Sequence, residues 1–342
     1  MKLRKLISFV CCLIFIFTFA VSNVYAAAST DENAIDNYLL KAGFSEDMVD
    51  KLPLNFKQQF CNEEAILESC TITYGILTED YSVNYTLDEN QRIVIDKENL
   101  QEFKRFLNDS EAVERVRQSK RAAYSPGLKN LPEVSGFAYY GDTNATQNVS
   151  PNRIISDTNW SAALFVAHKS HNNEYVDKYI SYLWCWNYNP KLAMHDKMAV
   201  AWSDKFTLLD GTIEQSYIPM RVENGEVVYS ANPLCGGMVE HNLQCGFGID
   251  FNIVKTAYDR SESTSFFTNA HAGFMQGVIR KNIDASEVGR QKTACAKGVY
   301  YHQTVAIDGS LGFSSEGPDI SVSWSWCYEE SPESYISFDY YE

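Results

Sequence analysis

Histidines are the first residues to ask about chemistry, and the chain has six. His168-Lys169-Ser170-His171 sets two imidazoles three positions apart. The helical zinc-protease motif needs Glu after its first His, and Lys169 stands there instead. The pair also falls at the end of a β-type run. There i and i+3 point to opposite faces, so the rings converge on an ion only if the strand bends. His195-Asp196, His241, His271 and His302 are scattered. A cysteine nucleophile needs a histidine beside it in space. Cys235 or Cys245 with His241 meets that need only if the two cysteines are unpaired, and a disulfide is the expectation. There is no G-x-S-x-G elbow. Gly246-Phe247-Gly248 leads into a strand rather than a helix, so it is no phosphate loop. Asp250 and Asn252 share a strand face and could contribute to a calcium site, but a solvated face explains them equally well. No catalytic, cofactor-binding or metal-binding residue is therefore assigned, and no cofactor is expected.

The N-terminus reads as an address. Lys2, Arg4 and Lys5 precede an apolar run from Leu6 to Val21, and Val24-Tyr25-Ala26 offers a cleavage site of signal-peptide type. Residues 1–26 are expected to be removed, giving a secreted protein. No later segment is long and apolar enough for a transmembrane helix. Cleavage takes three basic and no acidic residues, leaving 26 basic against 44 acidic. That balance excludes general nucleic-acid binding and repels anionic membranes.

Seven cysteines lie beyond residue 26. Export permits disulfides, and the short separations pair Cys61 with Cys70 and Cys235 with Cys245. Cys295 with Cys327 is a further candidate pair. An odd count leaves one thiol over. No C-x-x-C spacing supports a metal site. Five N-x-S/T sequons, among them Asn159-Trp160-Ser161, matter only in a eukaryotic secretory host.

Residues 34–42 carry Ile35, Tyr38, Leu39 and Ala42 on one helical stripe. Ser45 caps a second short helix, and Leu54 to Phe60 starts a third. Tyr38-Leu39-Leu40-Lys41-Ala42-Gly43-Phe44, followed by Val49, Leu52-Pro53 and Lys57, resembles a short segment of uncharacterised exported proteins of Gram-positive bacteria, some of them bacteriocin-like. The resemblance covers fewer than thirty residues. It implies an exported bacterial protein and assigns no activity.

Period-two alternation follows over residues 70–95, then an amphipathic helix from Glu98 to about Arg121. Lys120-Arg121 at its end is a dibasic processing candidate, although cations also suit a helix C-terminus. From Val134 onward the chain runs strand after strand, with Asn224-Gly225 a hairpin signal. Ile320 to Trp326 and Ile336 to Tyr340 alternate apolar with polar residues and read as strands with one buried face. Trp184 with Trp186, and Trp324 with Trp326, are expected in the core.

The expected architecture is a small α+β unit over 27–121, a linker over 122–133, and an all-β antiparallel sandwich or jelly roll over 134–342. The expected function is non-enzymatic: binding, or bacteriocin-like action, on a cell-surface component. A secreted hydrolase and a carbohydrate-binding module are the alternatives.

Overall fold

A computed structural model describes residues 32–122, 133–139, 149–171, 174–191, 194–223, 226–231, 239–284, 286, 288–306, 308–314, 317–323, 325–331 and 333–341. The expected signal peptide, most of the expected linker, Cys235 and Trp324 lie outside them.

Three short helices come first: α1 (Glu32–Lys41), α2 (Glu46–Lys51) and α3 (Leu54–Asn62). Ser45 caps α2 as expected, its hydroxyl accepting from the Met48 amide at 3.3 Å. Strands β1 (Ile66–Leu77), β2 (Ser82–Leu87) and β3 (Ile93–Val94) follow. The single helix expected over 98–121 is two, α4 (Lys97–Asn108) and α5 (Ser110–Ala122). Asp109 makes the break. Its carboxylate accepts from the amides of Glu111 and Ala112, capping α5 and stopping α4 from continuing. After β4 (Phe137–Tyr139) comes a helix that period analysis missed, α6 (Pro151–Asp157).

The long strands then begin: β5 (Trp160–His171), β6 (Tyr175–Trp186), β7 (His195–Trp202), β8 (Thr207–Leu208), β9 (Glu214–Glu223), β10 (Glu226–Ser230), β11 (Val239–Asn242) and β12 (Gly246–Asn252). β13 (Thr256–Asp259) and β14 (Thr264–Phe267) form a separate hairpin. β15 (Ala270–Asn282) and β16 (Gln291–Gln303) are the longest. The last are β17 (Leu311–Phe313), β18 (Ile320–Val322), β19 (Tyr328–Glu330) and β20 (Ser334–Tyr341).

Among the described residues, the first sheet has ten strands in the order β10-β9-β15-β6-β5-β1-β2-β3-β4, with β8 also on β15. The second has six, β11-β12-β7-β16-β19, with β20 also on β16. All pairings but β3–β4 are antiparallel within these sheets. The sheets face each other across a core of Trp160, Trp184, Trp186, Met198, Val200, Trp202, Tyr300 and their neighbours. The expected antiparallel sandwich is thus present, with a helical N-terminal part. That part covers the outer face of the first sheet, where Phe56 packs on Phe274 and Phe60 meets Tyr179 edge-on.

The expected division of the chain does not describe two cores. β1 pairs with β5 from Ile66↔His168 to Gly75↔Trp160, so strands on both sides of residues 122–133 lie side by side in one sheet. The C-terminal strand ties in as well. The Ser69 hydroxyl donates to the Ser337 carbonyl at 2.8 Å, and Ser334 and Thr73 hydroxyls meet at 3.0 Å. β20 alternates as expected, with Ile336, Phe338 and Tyr340 buried and Tyr335, Ser337, Asp339 and Tyr341 outside. The other alternating run is not one strand: β18 stops at Val322, and Ser325–Cys327 is a 3-10 turn. The β17–β18 hairpin lies on the outer face of the second sheet. It explains the glycines of Gly246-Phe247-Gly248: a Cβ at either would come within 2.2 Å of Phe313 or Leu311. No helix among the described residues is long and apolar enough to cross a membrane.

Candidate functional site

The β13–β14 hairpin, like β20 with Tyr335 and Tyr341, carries two exposed aromatic rings, Tyr258 and Phe267. Its turn is built by Asp259, whose carboxylate accepts from the Ser261 hydroxyl and amide and from the Glu262 amide. The other carboxylate oxygen accepts from the Ser230 amide at 3.0 Å, which fastens the hairpin to β10, the edge strand of the first sheet. These bonds, led by that of Ser261, hold the Asp259 carboxyl down to about 2. Phe266 turns inward and stacks on Tyr229 of β10 at 5.6 Å. The pairing Thr256↔Phe267 and Tyr258↔Ser265 then places all four of those residues on the opposite, outward face. Tyr258 is 52% exposed and Phe267 69%. The two rings sit at diagonal positions, roughly 7–8 Å apart at the backbone, within reach of one flat ligand. Val227 and Val228 of β10 are exposed nearby.

A polar network is sealed between the sheets. Asp196 of β7 and His302 of β16 meet at 3.0 Å through Nδ1, and both are fully buried. The Tyr300 hydroxyl and the Gln303 amide also donate to the Asp196 carboxylate. Burial, then the Asp196 charge, pushes the Tyr300 hydroxyl well above its ordinary range. From the facing sheet, His271 of β15 bonds the Tyr217 hydroxyl at 2.9 Å through Nδ1. The Trp186 ring lies between, 4.8 Å from His302 and 6.3 Å from His271. An Asp–His pair of this kind orients a general base in many enzymes. Here both partners are fully buried, so the pair serves the core.

On the outer face of the second sheet, His195, Asp250 and Asp308 bring donor atoms within 4.8 Å of one another. The buried Lys197 ammonium already sits there, 3.3 Å from Asp308, 3.4 Å from Glu240 and 3.6 Å from Asp250. The cluster is an ion-pair network around a lysine.

No family description and no curated protein matches this chain. Several solved structures align with part of it, two of them as follows. One is described as AvmM, which catalyses macrocyclization in alchivemycin A biosynthesis; it is 8% identical, with a TM-score of 0.21, over 52% of this chain and 89% of that one. The other is the NetB toxin of Clostridium perfringens in its membrane-inserted form, 8% identical, with a TM-score of 0.23, over 53% of this chain and 91% of that one. Likeness at this level transfers neither fold nor activity.

The residues singled out from sequence are placed as follows. No disulfide joins Cys61, Cys70, Cys185, Cys245, Cys295 and Cys327. The expected Cys61–Cys70 and Cys295–Cys327 bridges are not formed in this structure. Cys61 lies on α3, while Cys70 sits in β1 with its sulfur 3.4 Å from Met48 Sδ. Cys295 lies 3.6 Å from the Ser337 hydroxyl, and Cys327 is buried among Tyr301, Tyr328 and Ile320. The Cys235 half of the Cys235–Cys245 pair lies outside the described residues. Lys120 and Arg121 fall in the last turn of α5, which ends at Ala122. His168 and His171 are both in β5, and His168 approaches Glu68, which also holds Lys178 at 2.5 Å. Trp184 and Trp186 are fully buried, as expected. The histidines that looked scattered are not: strand register brings His271 and His302 to one level of the core. Their sequence settings were the available signal, since Ala270-His271-Ala272 and Tyr300-Tyr301-His302 set an imidazole in apolar strand.

Proposed function

We propose that this is a secreted protein that works without catalysis, binding a component of a cell surface. The single observation that supports the binding reading is the outward face of the β13–β14 hairpin, with Tyr258 and Phe267 exposed side by side. An apolar surface of this kind costs solubility, and in a protein it marks a contact. Two flanking hydroxyl residues, Thr256 and Ser265, give the face a polar border. Aromatic faces ringed by hydroxyls suit the apolar faces and hydroxyl edges of sugar rings. The proposed partner is therefore a neutral surface glycan. An acidic chain is itself suited to neutral rather than anionic surfaces. Secretion rests on the N-terminal sequence and on the resemblance of residues 38–57 to exported proteins.

The test combines location with binding. N-terminal sequencing of culture supernatant should find a chain starting at Ala27 or shortly after. The purified protein should sediment with cell-wall polysaccharide, and Tyr258→Ala with Phe267→Ala should abolish this without moving the unfolding midpoint. Retention of wild-type binding by that double variant, with no growth inhibition of related bacteria dependent on these rings, would refute the assignment of the site.

A further inference from the structure

We infer that His271, sealed between the two sheets, is an acid-sensitive point of the sandwich: its protonation in mild acid loosens the packing of the inner faces and exposes the tryptophan-lined core. The hydrogen-bond surroundings carry the argument. The Tyr217 hydroxyl accepts from the Val254 amide at 3.2 Å and shares a single proton with His271 Nδ1 at 2.9 Å, an arrangement that suits the neutral ring. His271 Nε2 is buried and has no hydrogen-bond partner among the described residues. A protonated ring carries N–H at both nitrogens. Whichever tautomer it starts from, the N–H at Nε2 then meets no acceptor there, and the Tyr217 hydroxyl must accept from Nδ1 and turn its own proton away.

Among the described residues, no group facing His271 is placed to neutralise the resulting cation. From β7, Asp196 is already committed to His302, Tyr300 and the Gln303 amide. From the segment after β1, Glu79 accepts from the Tyr188 hydroxyl and the Lys191 amide. From α5, Arg115 adds positive charge beside Tyr188 and Glu79. From β16, His302 would add a like charge, and from β6 and β9 come only the Trp186 and Tyr217 rings. Burial, with His302 second, accordingly lowers His271 to about 3.

The sign follows. The unfolded chain binds a proton at His271 near its ordinary value of about 6.5, while the folded chain does so only near 3. Between those values the unfolded state holds more protons at this residue, so the stability that neutral His271 contributes is present above pH 6.5 and is lost as pH falls through the window. At pH 5.0 His271 alone raises the unfolding constant about 30-fold over its value at pH 7.5.

The test is urea unfolding of the purified protein at pH 7.5 and 5.0, with binding of an apolar fluorescent dye as the reading of exposed core. Glu330, raised to about 7 by burial, titrates in the opposite sense in wild type and variant alike, so the two are compared. The rise in the unfolding constant from pH 7.5 to 5.0 should be about 30-fold larger in the wild type than in His271→Gln. His271→Gln, whose amide still accepts from Tyr217 but does not titrate, should lose that part of the rise. His241→Gln, on an exposed residue, should keep it. Should His271→Gln not fold, the wild-type His271 ring resonance should stay in its neutral position down to pH 5. A wild-type pH dependence within threefold of that of His271→Gln, or a His271 ring that titrates near 6.5 in the folded protein, overturns the inference.

Discussion

Asn159→Ala should be among the costliest single substitutions outside the aromatic core. Asn159 stands where β5 begins, and it is fully buried. Its backbone amide donates to the Gly75 carbonyl and its carbonyl accepts from Asn187. Its side-chain amide then imitates one more residue of strand. Oδ1 accepts from the Leu77 amide at 2.9 Å, and Nδ2 donates to the Leu77 carbonyl at 3.0 Å. The Leu77 carbonyl keeps a second donor, Trp186 Nε1 at 3.1 Å. The Leu77 N–H has no such reserve. Truncation therefore strands one buried donor, at about 1–3 kcal/mol, and removes a second bond worth about 1 kcal/mol. The expected loss is about 2–4 kcal/mol, a large part of the roughly 5–15 kcal/mol that holds an ordinary domain. Asn159→Leu refills the space but not the hydrogen bonds, so it should recover less than half of the loss. Asn159→Asp should be worse than Ala, since a carboxylate oxygen would face the Leu77 carbonyl in a dry site. Urea midpoints followed by tryptophan fluorescence give the numbers, because Trp160 and Trp186 flank the site. A loss below about 0.5 kcal/mol for Asn159→Ala would show that water or strand slippage satisfies Leu77, and the account of this sheet end would be wrong. The same burial makes the Asn159-Trp160-Ser161 sequon unusable in the folded protein.

Two further outcomes follow from the packing. Residues 122–342 expressed alone should show no cooperative thermal transition, since they lack β1, which sits between β5 and β2 in the first sheet; a sharp transition matching the intact chain would restore the two-unit division. Gly273→Ala should destabilise by roughly 1–3 kcal/mol, because a Cβ there falls 2.5 Å from the buried Trp184 ring; an unchanged midpoint would mean that the ring moves freely.

The strands were legible because period two is a local property. The inward set of β20 followed from alternation alone. What stayed hidden depends on partners far along the chain. β1 finds β5 some ninety residues later, and nothing in 66–77 names that partner, so the first sheet was divided between two units. The break at Asp109 was hidden because apolar spacing continues through it, while the cap that makes it is a single carboxylate. The meeting of Asp196, His271 and His302 is a matter of register between sheets. Tyr258 and Phe267 alternate like any half-buried strand; only the orientation of the hairpin, set by Phe266 on Tyr229, turns them outward.

The bond from Ser69 to Ser337 spans 268 positions, and that from Thr73 to Ser334 spans 261. Closing chain segments of this length is an entropic search that rises only as the logarithm of length, but it must be completed before the contacts reward it. The second sheet is incomplete until β20 docks on β16. Refolding should therefore be slow, on the order of seconds or longer, with open strand edges available meanwhile for mispairing.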